Sequence, residues 1–207
     1  MSIKTRTIRV IGAGGIGSYL CRHLAKLKEN NQLVGREGQS YDIHVYDDDE
    51  VEHNNVLYQD FLAEDVFMYK VTALSDKYGL IGTSDRVSSD DIEEWPEDDI
   101  IACCVDNAST RRMLFEEFAD RQWVDLRCQG RNIVTFACNP KTKKQELLDS
   151  LPEEENEETE NGSCQRADEL SAGIIQQGNV IVSAIGSQWI LNMLRGDYVP
   201  VCYNKLF

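Results

Sequence analysis

The stretch VIGAGGIGSYL, residues 10–20, limits the choice of fold more than any other part of the chain. Residues 7–11 read as a short apolar strand. From Gly15 to Leu27, apolar side chains recur at helical spacing, at Ile16, Tyr19, Leu20, Leu24 and Leu27. Between strand and helix stand Gly12, Gly14, Gly15 and Gly17, in the pattern G-x-G-x-x-G. The first glycine of such a turn permits a tight bend, the second lets backbone approach a phosphate, and the third lets helix pack on strand. The helix start then offers unpaired N–H groups and a partial positive charge to an anion.

The rest of the chain continues the alternation. DIHVYD (42–47) reads as a second strand ending in an acid, and AEDVFMYKVTALSDKYG (63–79) as a helix stopped by Gly79. SDRVSS (84–89) suggests a short strand, DDIIACCVD (98–106) a buried one, and ASTRRMLFEEFADR (108–121) a helix. QWVDLRCQGRNIVTFACN (122–139) reads as two strands joined by a turn at Gly130. The apolar tail around Trp189 predicts one or two core helices. Strand–helix alternation of this kind predicts a Rossmann-like, doubly wound α/β fold: a largely parallel sheet with helices on both faces. The 207 residues form a single expected domain. PEEENEETENGS (152–163) is the one biased segment, acidic and without aromatics, and predicts a solvated, mobile loop.

Charge and cysteines narrow the function. A net charge of −15 argues against a general nucleic-acid or anionic-membrane binder, whose ligands repel such a surface. No apolar run reaches membrane-spanning length, and the start MSIKTRTIRV lacks the apolar core of a signal peptide, so a cytoplasmic location is expected. Seven cysteines show neither disulfide-like spacing nor a C-x-x-C pair, which argues against structural zinc. Cys103 and Cys104 read as buried thiols.

In a doubly wound sheet the carboxyl ends of the strands share one edge, where ligands bind. Gly14, Asp47 and Asp106 are therefore expected to converge there. A carboxylate at Asp47 suits ribose hydroxyls. The chain adds Asp49, Asn54, Asn55, Gln59 and Lys70, and after Asp106 it adds Asn107, Thr110, Arg111 and Arg112. Hydride transfer has no use for such a set, whereas phosphate chemistry does. Asp106 suits Mg²⁺, Lys70 suits charge building at a phosphate, and Asn55 and Gln59 suit phosphate oxygens without added charge.

The segments VIGAGGIGSYL, VYDDDEVEHNNVLYQDF, DVFMYKVTAL, CCVDNASTRRML and SCQRADELSAGIIQQGNVIVSAIGSQWILNMLRG stand in this order and cover most of the chain. Together they resemble the ubiquitin-activating-enzyme-like proteins, in the HesA/MoeB/ThiF branch. The resemblance implies binding of ATP with Mg²⁺ and adenylation of the C-terminal carboxylate of a small ubiquitin-like or sulfur-carrier protein, within a homodimer. Carried over by position, Asp47 would hold ribose, with Asp49 nearby. Asn55 and Gln59 would meet phosphates, Lys70 would bridge them, Asp106 would bind the metal and Arg111 would stand in the same wall. Cys164 falls where many relatives carry a cysteine, which in some of them takes the activated acyl group or forms an acyl-disulfide. The six glutamates over 153–160 would raise its pKa, and an incidental loop cysteine is the alternative.

The chain departs from the family pattern at Tyr58, where relatives have an arginine before the glutamine. The family's preceding helix with its own arginine, and its zinc cysteines, are not matched. Two alternatives therefore accompany the adenylyltransferase: a catalytically weakened nucleotide-binding pseudoenzyme serving as a partner subunit, and an NAD-dependent oxidoreductase. Blander roles are expected for His23 and His53, and Arg127 and Arg131 suit either a carrier tail or structural ion pairs.

Overall fold

The computed structural model describes residues 6–117, 121–138, 169 and 171–206. A seven-stranded sheet runs through it in the order β3-β2-β1-β4-β5-β6-β7. The strands are β1 (Arg6–Ile11), β2 (Tyr41–Tyr46), β3 (Ile81–Thr83), β4 (Ile100–Cys103), β5 (Trp123–Gln129), β6 (Asn132–Cys138) and β7 (Cys202–Leu206). β1 to β5 pair in parallel, while β6 and β7 are antiparallel additions. The described helices are α1 (Gly15–Glu29), α2 (Lys70–Tyr78), α3 (Ser89–Glu94), α4 (Ala108–Glu117) and α5 (Gly178–Arg195).

Strand side chains alternate between two cores, as a sheet covered on both faces requires. Ile8, Val10, Ile43, Val45, Ile100, Ala102, Val124 and Leu126 join the core that includes Leu20, Leu24 and Val182 of α1 and α5. Ile11, Tyr46, Ile101, Cys103 and Trp123 join Ile92, Leu114 and Phe115 of α3 and α4. The doubly wound α/β expectation holds. Trp189 is core, at 6% exposure. The order reverses between β1 and β4, and that switch point opens a crevice at the carboxyl edge.

Local predictions hold where pattern and packing agree. The turn at Gly130 joins β5 to β6 with φ of +61°, which glycine adopts without cost. Three differ. The helix expected over 63–79 begins only at Lys70, after a 3-10 turn at Ala63–Asp65. The chain there first returns to pair with the end of the β2 segment. Phe67 N donates to Val51 O (2.9 Å), Val51 N to Met68 O (2.8 Å) and Lys70 N to Asp49 O (2.9 Å). The short strand lies at Ile81–Thr83 rather than within 84–89, because register with His44–Tyr46 places it. β7 has no counterpart in the sequence pattern; its five residues are all exposed and the ladder to β6 alone holds it. Cys164 and the acidic stretch 152–163 lie outside the described residues.

Candidate functional site

A cavity of about 970 Å³ opens at the switch point. Its lining includes Gly12, Gly14, Gly15, Asp47, Asp49, Asn55, Gln59, Lys70 and Asp106. Such a volume suits a nucleotide-sized ligand.

The glycine turn forms one wall. Gly12 sits at φ +93°, and a Cβ there would lie 3.0 Å from the Cys104 carbonyl carbon. A Cβ on Gly17 would fall 1.8 Å from Gly12 O, so helix and strand can close only on glycine. Gly14 differs: nothing lies within 4 Å of where its Cβ would stand, and its backbone faces open space. No side chain caps the start of α1, which leaves its first N–H groups to a ligand.

The acids and the lysine form the second wall. Asp47 follows β2 and turns back on the loop. Its Oδ2 accepts from Ala13 N at 2.6 Å and its Oδ1 from Asp49 N at 3.0 Å. Lys70 Nζ donates to Asp49 Oδ2 at 2.6 Å and lies 3.7 Å from Asp47 Oδ1. As the first residue of α2, Lys70 sets its charge against a helix start, where a cation is disfavoured. Burial also works against that charge, yet Asp47 and Asp49 outweigh it, with Asp106 adding to the same field, and the lysine pKa ends above its ordinary value. Burial raises Asp47 from the usual carboxylate value against the pull of Lys70 and the two N–H groups. Lys70 and Asp106 thus stand on the same side of the molecule and line one cavity.

The amides behave differently from one another. Asn55 Oδ1 accepts from Glu52 N at 3.0 Å and so shapes the crossover. Gln59 is 8% exposed and its Oε1 has no partner. Asp60, which the sequence pattern does not single out, holds this segment down. It meets Arg22, Lys77 and Tyr78, and its N–H donates to Ser18 Oγ at 3.1 Å. Tyr58 lines the cavity.

Asp106 and Asn107 follow β4. Asn107 Oδ1 caps the start of α4 by accepting from Thr110 N at 2.8 Å. Arg111 is absent from the cavity lining, unlike the placement that the resemblance implies. It is 6% exposed, ion-paired to Asp125 at 3.2 Å, and donates to Val105 O, one residue before Asp106. It supports the strand end from beneath.

The cavity fits a nucleotide carrying a metal on its phosphates. Gly14 leaves room for phosphate and the uncapped start of α1 leaves free donors. Among the described residues no three His, Cys, Asp or Glu side chains are arranged to hold a metal ion. Asp106, just after β4, is one of the carboxylates that line the cavity. No described helix is long and apolar enough to cross a membrane.

Fold and site define a doubly wound α/β protein with a cavity at its switch point. The chain belongs to the ThiF family, whose model matches residues 1–207. Among solved structures it is similar to PaaA, with a TM-score of 0.66 at 14% identity over 97% of this chain and 60% of that one. It is similar to E. coli MccB with ATP, at 0.65 and 15% over 99% and 61%. It is also similar to the microcin C7 biosynthetic enzyme MccB in complex with N-formylated MccA, at 0.68 and 15% over 98% and 62%. The chain spans about three-fifths of the length of these structures. No curated protein matches it.

Proposed function

We propose that this protein is an ATP-dependent adenylyltransferase acting on the C-terminal carboxylate of a small ubiquitin-like or sulfur-carrier protein or a related peptide. One observation carries the reading: Lys70, between Asp47 and Asp49, shares a cavity with Asp106 and with the uncapped start of α1. That is an arrangement for a triphosphate. The family and the likeness to MccB, crystallised with ATP and with MccA, support it. In this reading Asp47 receives ribose hydroxyls, and the α1 start and Gln59 receive phosphate oxygens. The Lys70 ammonium exchanges Asp49 for phosphate, and Asp106 would hold Mg²⁺, which would neutralise charge on the triphosphate. A carboxylate oxygen then displaces pyrophosphate from the α-phosphorus. The protein's work is positioning and charge neutralisation. A homodimer is proposed on the family resemblance, and light scattering tests it.

The test is ATP–pyrophosphate exchange with Mg²⁺ and a panel of carriers ending in Gly-Gly. Exchange is expected with wild type and is expected to vanish in Asp106→Ala. A second reading, a nucleotide-binding partner subunit without catalysis, has one observation in its favour. Seven carboxylates line the cavity against two cations, Lys70 and Arg86, and Tyr58 adds no charge. ATP binding without exchange across the panel would select it. Family membership sets the oxidoreductase alternative aside.

A further inference from the structure

Asn179, the second residue of α5, is 1% exposed, and neither polar atom of its amide has a hydrogen-bond partner. A buried amide in that state is costly and calls for an explanation. Its surroundings supply one. The amide nitrogen is the atom closest to where a Cβ of Gly15 would stand, at 2.4 Å, with Cγ at 3.0 Å and Oδ1 at 3.4 Å. The nitrogen end therefore aims at the start of α1. Gly15 lines the cavity and Asn179 itself does not, so this donor stands one glycine behind the ligand space.

The start of α5 lies at the same corner. A Cβ on Gly178 would fall 2.1 Å from Gly130 O and 2.4 Å from Cys128 Sγ, which presses this helix start onto the turn after β5. α5 is 18 residues long and no side chain caps its start. Two helix N-termini thus stand side by side, with an unpaired amide between them.

Adenylation needs just such a pair, because it brings two anions together, an α-phosphate and a carboxylate. One helix start with its glycine turn serves the phosphate. We propose that Asn179 and the first turn of α5 bind the acyl carboxylate and hold it against that phosphate. The inference rests on the adenylyltransferase reading and deepens it. An amide suits the task better than a cation: once the carboxylate becomes a mixed anhydride its charge is gone. A neutral N–H serves both states without leaving a buried charge unpaired.

The experiment compares 5′-O-sulfamoyladenosine with its N-glycylglycyl derivative, which mimic the adenylate without and with its acyl end. Binding is measured by calorimetry to wild type, Asn179→Leu and Asn179→Ser, alongside ATP. Wild type is expected to prefer the acylated compound. Both variants are expected to lose about tenfold of that preference while binding ATP and the unacylated compound as wild type does. The serine variant provides the reading if leucine prevents folding. Undiminished acyl preference in a folded variant overturns the inference. So does a parallel loss of ATP and both sulfamates, which would make Asn179 a support for Gly15 only. Exchange activity in wild type without acyl preference overturns it while leaving the adenylyltransferase reading intact. Wild type that binds neither ATP nor either sulfamate overturns both.

Discussion

Among the described residues, the clusters around Asp125 and Lys70 both pair buried cations with carboxylates, and of these two the Lys70 cluster opens on the cavity. In the first, Asp125 is fully buried between Arg111 at 3.2 Å and Arg127 at 2.6 Å. Arg127 also lies 4.6 Å from the centre of the Phe136 ring. In the second, Lys70 lies between Asp47 and Asp49, and the Asp49 side chain is 61% exposed. The first cluster uses planar guanidiniums locked by their geometry. The second uses a compact ammonium whose main partner faces solvent and can be given up. The same chemistry thus serves as a rivet in one place and as a receptor in the other. Exposure of the partner makes the difference.

The sharpest way to break this contrast is to remove Asp125. Asp125→Ala takes the buried carboxylate from two guanidiniums, one of them 6% exposed, and is expected to cost about 3–5 kcal/mol of folding stability. Denaturant titration followed by tryptophan fluorescence reads the loss. Lys70→Met should act the other way round. It is expected to slow ATP–pyrophosphate exchange by about 10²–10³-fold while leaving the denaturation midpoint near that of wild type. A Lys70→Met protein as destabilised as Asp125→Ala would erase the distinction.

A third cluster sharpens the comparison through pH. Beneath the sheet, Arg9 bonds Asp99 at 2.8 Å and donates to the Tyr46 hydroxyl. The chain of contacts continues to His44 Nδ1 at 3.0 Å and from His44 Nε2 to Thr83 Oγ1 at 2.8 Å. Burial, with Arg9 nearby, lowers the His44 pKa to about 4. The unfolded chain, with an ordinary histidine pKa of about 6.5, takes up the proton first. Stability from this group is therefore complete above pH ~6.5 and declines as pH falls toward 4. Thermal melts across that range should show the decline, and His44→Gln should flatten it. This is the smallest of the three effects, because the site is only half buried.

The fold was legible wherever one residue pattern had one structural outcome. The glycines at 12 and 17 and the Gly130 turn each had a local reason, and the close approaches at Gly12 and Gly17 and the φ of +61° at Gly130 agree with it. What was not legible depended on partners distant in sequence. Lys70 begins its helix instead of lying within it because residues 67–70 pair with 49–51, which no periodicity records. β7 is exposed along its length and exists only through β6. Arg111 matched a family position but faces Asp125, and nothing in its own neighbourhood announces that pairing. Nothing in the sequence pattern singles out Asn179; only the fold brings it against Gly15.

The absence of room at Gly12 and Gly17 has an evolutionary consequence. Gly12 and Gly17 refuse even a methyl group, so those two positions cannot be retuned by changing side chains, whereas Gly14 leaves space. Most drift in what this architecture accepts is then left to the segments after β2, β3 and β4 that line the cavity. Chains sharing this turn can diverge freely in their choice of partner while the turn itself stays fixed.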